Sequence, residues 1–508
     1  MTSSNRSCAF EALLLRGGRM IRWKGRAASM SPHIGALSSG ASLSAVAAVM
    51  ALGNGLLFSP TVSAQTVTLS DDQTTPITLT GTPLVVDTDN SFSIVTTSGR
   101  ALVLTGTNGT SLTDSNSSTI TGATDAVYAR NYGTSALLVT TTGAVTGTSS
   151  RGIFARNSST GTNLTIAAAA VTGATDGIRA DNTGTGALSV TTTGTVRGVS
   201  SSGIYVNNTA AGADLTISAA AVSGGTDGIR ASNGTGALSV TTTGTVSGAS
   251  GRGIYTFNGG TNLTISAAAV SGATAGIYAL NFGRGALSVT SSGAVTGTSG
   301  SGITGVNFAS GGTNLTISAA AVSGSTNGIY AISNASGALS VTSNGAVTGT
   351  SGSGIFVDNR SAGTDLTISA ASVSGGTNGI KATNRGTGAL SVTTTGAVTG
   401  TSGDGIYSRT LGNASDLTIS AAAVSGRIFG IYALGGGTGA LSVTTTGDVI
   451  GTNTSGIHAF NSTYGTDLTI SAAAVTSGLV GIFASNYGTG ALSVTTTGAV
   501  NGTSGSGI

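Results

Sequence analysis

The sequence predicts an all-β protein: a right-handed parallel β-helix, or solenoid, of about 16 coils of about 25 residues, preceded by a signal peptide. Three observations carry that expectation. A Gly-Ile-(aromatic) signature recurs with Ile at 153, 178, 204, 229, 254, 277, 303, 329, 355, 380, 406, 431, 457, 482 and 508, with Val127 as a variant in front. The 381 residues from Val127 to Ile508 thus fall into 15 steps averaging 25.4. Within each unit apolar residues alternate, as in Leu188-Ser189-Val190-Thr191 and Ile204-Tyr205-Val206, and a period of two marks half-buried strands. Finally, no Pro follows Pro83, as expected where nearly every backbone N–H donates to a neighbouring strand.

A second anchor, Leu-(Ser/Thr)-(Val/Ile), runs from Leu137 through Leu164, Leu188 and Leu215 to Leu492, with spacings that mostly alternate near 27 and 24. The duplicated unit is therefore about 51 residues, one coil reading ALSVTTTGxV and the other (N/D)LTISAAAV. Each coil offers three short strands, around LSVT, around a single Val such as Val196, and around GIY, separated by Gly, Ser, Thr and Asn turn residues. A unit this small cannot bury its own apolar face. Stacked coils can, each strand pairing in parallel with the same strand one coil away. At about 4.8 Å per coil the repeats make a rod of roughly 75 Å with a lumen of Leu, Val, Ile and Ala. The expected organisation is a leader at 1–64, an N-terminal β cap at 65–100 and β-helix repeats at 101–508.

Composition separates the leader from the rest. All four Met, the only Cys (Cys8), the only Trp (Trp23) and the only Glu (Glu11) precede residue 65. Residues 20–64 read as a long export signal, with Arg22, Lys24 and Arg26, a small apolar run from Leu43 to Phe58, and Val62-Ser63-Ala64 before a cleavage point between Ala64 and Gln65. Met20 stands directly before the basic cluster as an alternative start. The apolar run is interrupted by Gly53, Asn54 and Gly55 and is shorter than the roughly 20 residues a membrane-spanning helix needs. Beyond residue 64 there are 14 basic residues against 16 Asp, a net charge of −2, so the basic balance of the whole chain belongs to the leader and argues against a nucleic-acid partner. That part of the chain has no Cys, so no disulfide can staple it.

Two columns stand out in the repeats. Four residues after the anchor Ile (or Val127) come Asn131, Asn157, Asn182, Asn208, Asn233, Asn258, Asn281, Asn307, Asn359, Asn384, Asn461 and Asn486, with Ser333, Thr410 and Gly435 as exceptions. This column reads as a structural ladder of stacked amides, although some of its members fall in Asn-x-Ser/Thr sequons. One residue after the anchor, a stripe of Tyr128, Phe154, Tyr205, Tyr255, Tyr278, Tyr330, Phe356, Tyr407, Tyr432 and Phe483 is interspersed with Arg179, Arg230, Lys381 and His458. If Ile points inward this stripe points outward, either as a grip for glycans or for another rod, or as a ladder that stabilises the solenoid.

The extended signal, the Cys-free remainder and coils such as GTGALSVTTTGAVTGTSGSGI resemble the passenger of a bacterial autotransporter, a type V secreted surface protein with a right-handed β-helix. The resemblance covers residues 101–508. It implies export to the cell surface, outer membrane or extracellular space, an adhesin-type role, and a C-terminal outer-membrane translocation barrel in the full-length chain. The repeat stops at Ile508 within a coil, so the expectation is a fragment of a longer protein.

Chemistry is sparse. The repeats have one Lys, no Glu and one His, His458, at a position held by Tyr or Phe in most coils, so a Ser-His-Asp set would have to be built around that residue. The one Lys, Lys381, follows Ile380 rather than the Gly of a phosphate-binding loop. Asp71-Asp72 and Asp87/Asp89 offer oxygen ligands for Ca²⁺, but no calcium-binding nonapeptides follow, and solvated turns are the simpler reading. Thr triplets such as Thr191-Thr192-Thr193 would suit an ordered-water or ice surface, but AAA replaces TTT in every second coil. The expectation is a non-enzymatic protein without cofactor or metal, serving in adhesion, self-association or as a stalk, with surface glycans, surface proteins or its own kind as partners. The alternatives are a stalk for an enzyme or toxin domain encoded elsewhere in the chain, or a glycan-processing β-helix. Mass spectrometry of the exported protein is expected to find a mature chain beginning at Gln65.

Overall fold

Every coil repeats three short strands in the same order: an Ile strand such as Ile178–Asn182, a Leu strand such as Leu188–Thr192, and a Val strand such as Val196–Gly198. The computed structural model describes residues 9–16, 19–26 and 65–508, apart from 90, 210, 211, 361 and 362. Ala9–Arg16 pairs antiparallel with Arg19–Arg26, whereas the apolar run Leu43–Phe58 and Ala64, the expected cleavage residue, lie outside the described residues. From Gln65 onward the described chain is strand and turn, with no helix.

Each strand pairs in parallel with its own copy one coil away: Ile178 with Ile204, Leu188 with Leu215, Val196 with Val222. The Ile strands make a ladder of 17 strands that runs from Ile77–Gly81 to Val480–Asn486. The Leu strands stack on Gln65–Leu69, which pairs with Leu84–Thr88. The rod is therefore a parallel β-solenoid of about 17 turns, one more than the repeat signature suggests, and roughly 80 Å long at the usual strand spacing. Stacking thus extends into 65–100, where Leu84, Val86 and Ile94 are buried without the Gly-Ile signature.

Alternation decides what fills the lumen. The Leu strand has the burial pattern of Leu188, Val190 and Thr192 in, Ser189 and Thr191 out; the Ile strand turns Ile, Ala and Asn inward. Each anchor Ile from Ile153 to Ile482 is 0–1% exposed, and burying each contributes roughly 1.5–3 kcal/mol. Each strand meets its own copy in register, the one shift between Ser343 and Ala346 falling in the link between a Leu and a Val strand, so like side chains stack on like and one continuous apolar core runs from Val67 to Ile482.

The corners explain the invariant glycines. A Cβ on Gly253, the residue before an anchor Ile, would lie 2.4 Å from Val270 Cγ1 and 2.7 Å from the Gly276 carbonyl oxygen, both in the next coil. A different interlock sets the two-coil period. In every LTIS coil the residue before Leu is Asn or Asp, and its Oδ1 accepts the Ala N–H of the following LSVT coil: Asn163 from Ala187 at 2.9 Å, Asp214 from Ala237 at 2.7 Å, and so on to Asp467 from Ala491 at 2.7 Å. The residue before that Ala is always Gly, because a Cβ there would meet the same oxygen, 2.4 Å away at Gly186 and 2.1 Å at Gly490.

Gly253→Val is expected to destabilise the rod by about 3 kcal/mol, since backbone on the far side cannot yield. Ser250→Ala, at an exposed corner nearby, is expected to stay within about 0.5 kcal/mol; urea unfolding followed by circular dichroism reads both.

Candidate functional site

Alternation also sorts the outer surface into faces of different chemistry. The two outward rows of the Leu strands are almost entirely hydroxyls: Thr165, Ser189, Thr216, Ser239 in one, Thr191, Ser218, Thr241, Ser266 in the other. The outward row of the Val strands is also mostly Ser and Thr, with Val95, Arg197, Ile450 and Asn501 as exceptions. This corrects the reading of the Thr triplets. The middle Thr of the triplet points into the lumen, Thr192 being 4% exposed, so the exchange of TTT for AAA does not interrupt the outer rows. On the surface Ser and Thr alternate instead, and a Thr recurs in a given row only every second coil.

The Ile face is different. Of the basic residues beyond 65, all but Arg197, Arg284 and Arg427 lie on the Ile strands or within two residues of their ends. The aromatic stripe is also here, one residue after each anchor. Tyr128 and Phe154 are buried beneath arginine side chains, Tyr205, Tyr255, Tyr278, Tyr330, Phe356, Tyr407 and Tyr432 are half-buried, and Phe483 is exposed. Rings in adjacent coils stack where both coils carry one: Tyr128 on Phe154 at 5.0 Å between centroids, Tyr330 on Phe356 at 5.0 Å, Tyr407 on Tyr432 at 5.3 Å. Tyr255 and Tyr278 tilt at 5.8 Å. Thr304 interrupts the stripe.

Cations fill the remaining places. Arg179 lies 4.7 Å from the Tyr205 ring centre, Arg230 sits between Tyr205 and Tyr255, and Lys381 between Phe356 and Tyr407. A second file of arginines two residues before the anchors also reaches over the rings: Arg100 lies 3.6 Å above Tyr128, Arg151 4.7 Å above Phe154, and Arg252 4.2 Å above Tyr255. Such contacts are worth about 0.5–1 kcal/mol each at exposed sites. Asp125 holds Arg100 at 2.9 Å and approaches Arg151 at 3.9 Å, and Asp181 holds Arg179 at 3.3 Å.

The Asn column points inward. Asn182 Nδ2 donates to Asn208 Oδ1 at 2.9 Å, and an unbroken amide run continues through Asn233, Asn258 and Asn281 to Asn307. The same Asn182 amide donates to the Gly186 carbonyl at 2.8 Å, closing the loop of its own coil. Shorter runs join Asn131 to Asn157, Asn359 to Asn384 and Asn461 to Asn486. Asn157, Asn233, Asn359 and Asn461 head sequons in this column yet are fully buried, which leaves their amides no room for a glycan.

Among the described residues no three His, Cys, Asp or Glu side chains gather as a metal would require. Asp72 instead accepts the Ser93 N–H at 2.7 Å. His458 is stacked between Tyr432 at 5.0 Å and Phe483 at 4.7 Å, with Phe429 at 5.3 Å. Two aromatic groups escaped the sequence reading: Phe257, Phe282 and Phe308, exposed and in contact at 4.9 and 4.3 Å, and Phe460 with Tyr487 at 5.1 Å. Phe282 and Phe308 follow the buried Asn, outside the strand, and a search of the column five residues after each anchor would have found them.

These features define a parallel β-solenoid with one aromatic and cationic face. Compared with protein-family models, with curated proteins and with solved structures, the chain matches none.

Burial holds the His458 imidazole below its ordinary value. As pH falls through about 6.5 the unfolded chain takes up that proton first, so stability is expected to drop between pH 7.5 and 5.5, and His458→Phe is expected to flatten the drop. Burial also raises the Asp404 carboxyl, an effect confined to the acid range above its ordinary value, where stability is lost as pH rises. Urea midpoints measured from the carboxylate range up through about pH 7.5 test both signs.

Proposed function

We propose that the chain is a non-enzymatic, exported β-solenoid of the autotransporter-passenger kind, which holds a surface or a second rod along its Ile face. The observation that carries this reading is the segregation of side chains: rings and cations collect on one face while the Leu and Val faces repeat Ser and Thr. A rod that only kept its distance from a membrane would have no use for that asymmetry. Nor does the solenoid's own stability call for it, since the core is complete inside the turn.

The mechanism is polyvalent. Half-buried rings recur at coil spacing and present their outer edges and faces as many weak, similar contacts rather than one deep pocket. Linked contacts of this kind add avidity without any strong single site. The partners that fit are glycans or proteins of a host or neighbouring cell, or another copy of the rod, and the setting is the cell surface or the extracellular space.

The test is the triple variant Tyr255→Ser, Tyr278→Ser, Tyr330→Ser in the full chain. Adhesion to cells or self-association is expected to fall at least about tenfold, equivalent to about 1.4 kcal/mol, with the β-sheet spectrum retained. Unchanged adhesion in a folded variant would remove the reading.

A further inference from the structure

Around Arg230 the Ile face changes shape. Three successive coils present outward pairs Tyr205/Asn207, Arg230/Ser232 and Tyr255/Phe257 in register. Ser232 is short between two longer neighbours, and the result is a depression of about 310 Å³ lined by Tyr205, Asn207, Arg230, Ser232, Tyr255 and Phe257. The Arg230 guanidinium is 5.6 Å from the Tyr205 ring centre and 5.3 Å from that of Tyr255. On the far side of Tyr255, Arg252 lies 4.2 Å from the same ring and 4.5 Å from Tyr278.

Among the described residues neither arginine is paired with a carboxylate, as is also true of Arg130 and Lys381 on the same face. Arg100, Arg151 and Arg179, by contrast, are held by Asp125 or Asp181. The nearby Asp227 is buried, and its Oδ1 accepts the Arg252 backbone N–H at 2.7 Å. The rings thus position two guanidinium groups without neutralising them. A larger depression of about 630 Å³ near Arg100 and Arg151 lacks this property, since Asp125 lies in its own lining.

We propose that the depression at Arg230 is a subsite for an acidic polysaccharide, a specification that rests on the reading of the Ile face as a binding face. Tyr205, Tyr255 and Phe257 offer flat apolar walls to the C–H faces of sugar rings. Arg230 and Arg252 offer planar donor forks that match carboxylate or sulfate oxygens, and no carboxylate of the protein competes for them. A neutral glycan would satisfy the walls and leave both forks unused. Carboxylated and sulfated chains share the required chemistry, and the experiment separates them.

The full chain is tested against immobilised polygalacturonate, heparin and dextran at several salt concentrations. One or both anionic polymers are expected to bind more tightly than dextran, more weakly as salt rises, and the better one identifies carboxylate or sulfate as the group recognised. The double variant Arg230→Gln, Arg252→Gln is expected to lose at least tenfold in affinity for the anionic polymer while keeping the β-sheet spectrum of the parent. Arg197→Gln, on the Val face, is expected to bind as the parent does. Equal retention of dextran and the anionic polymers, or undiminished binding by the double variant, overturns the proposal. If the double variant adheres to cells normally while the triple tyrosine variant does not, the binding face stands and its acidic-glycan specificity falls.

Discussion

The whole rod depends on one constraint: each coil must pass its backbone hydrogen bonds to the next without a change of register. Ile178 donates to the Gly203 carbonyl, Leu188 to Asp214 and Val196 to Ala221, in each case the residue just before its counterpart in the next coil, and the same relation recurs along the molecule. A slip of one residue in any strand would turn its core set outward and its outward set into the lumen. Constant register makes every side chain face a copy of its own position. The buried amides can then bond to one another, the core becomes a stack of identical layers, and stability becomes approximately a sum of coil and neighbour terms.

That constraint also divides the residues into those that are bound by it and those that are free. The anchor Ile, the corner Gly and the inward Asn each meet backbone or side chain in the adjoining coil, and their replacements are few and no larger: Val127 for Ile, or Ser333, Thr410 and Gly435 for Asn. The residue after the anchor meets only its outer neighbours, and there Tyr, Phe, Arg, Lys, His and Thr all occur. Chemistry accumulates where the fold makes no demand. The Asn amides and the outer rings lie on the same strands but serve opposite sides of the sheet.

Much of the fold was legible because periodicity survives translation into space. The three strands per coil, the inward Ile and the outward stripe all follow from spacing and alternation alone. Two things were not. Residues 65–100 lack the Gly-Ile signature, yet Val67, Leu84, Val86 and Ile94 alternate and stack, so the coils there announce themselves only through their neighbours. The cations over the rings were hidden because Arg100, Arg151 and Arg252 belong to a different column from the rings that they cover. Long side chains cross between columns at a coil corner, and a reading confined to one column does not see them. The Thr triplet misled for the opposite reason, since three consecutive Thr look like a unit in sequence but divide between lumen, surface and corner.

The Asx and Gly interlock sets a rule for how such a molecule changes length. An LTIS coil carries Thr162, Ala213, Thr261, Thr313, Thr364, Ser415 or Thr466 at the place that Gly takes in the LSVT coil. Each of these has a Cβ, where the structure leaves only 2.1–2.7 Å to the Asx oxygen of the coil before. Two LTIS coils therefore cannot adjoin without moving backbone, and insertion or loss of a single coil would create a fault. A coil pair enters or leaves without one. The rod's reach is quantised in steps of about 51 residues and roughly 10 Å, so recombination between repeats would alter how far the aromatic and cationic face extends while leaving its local geometry untouched.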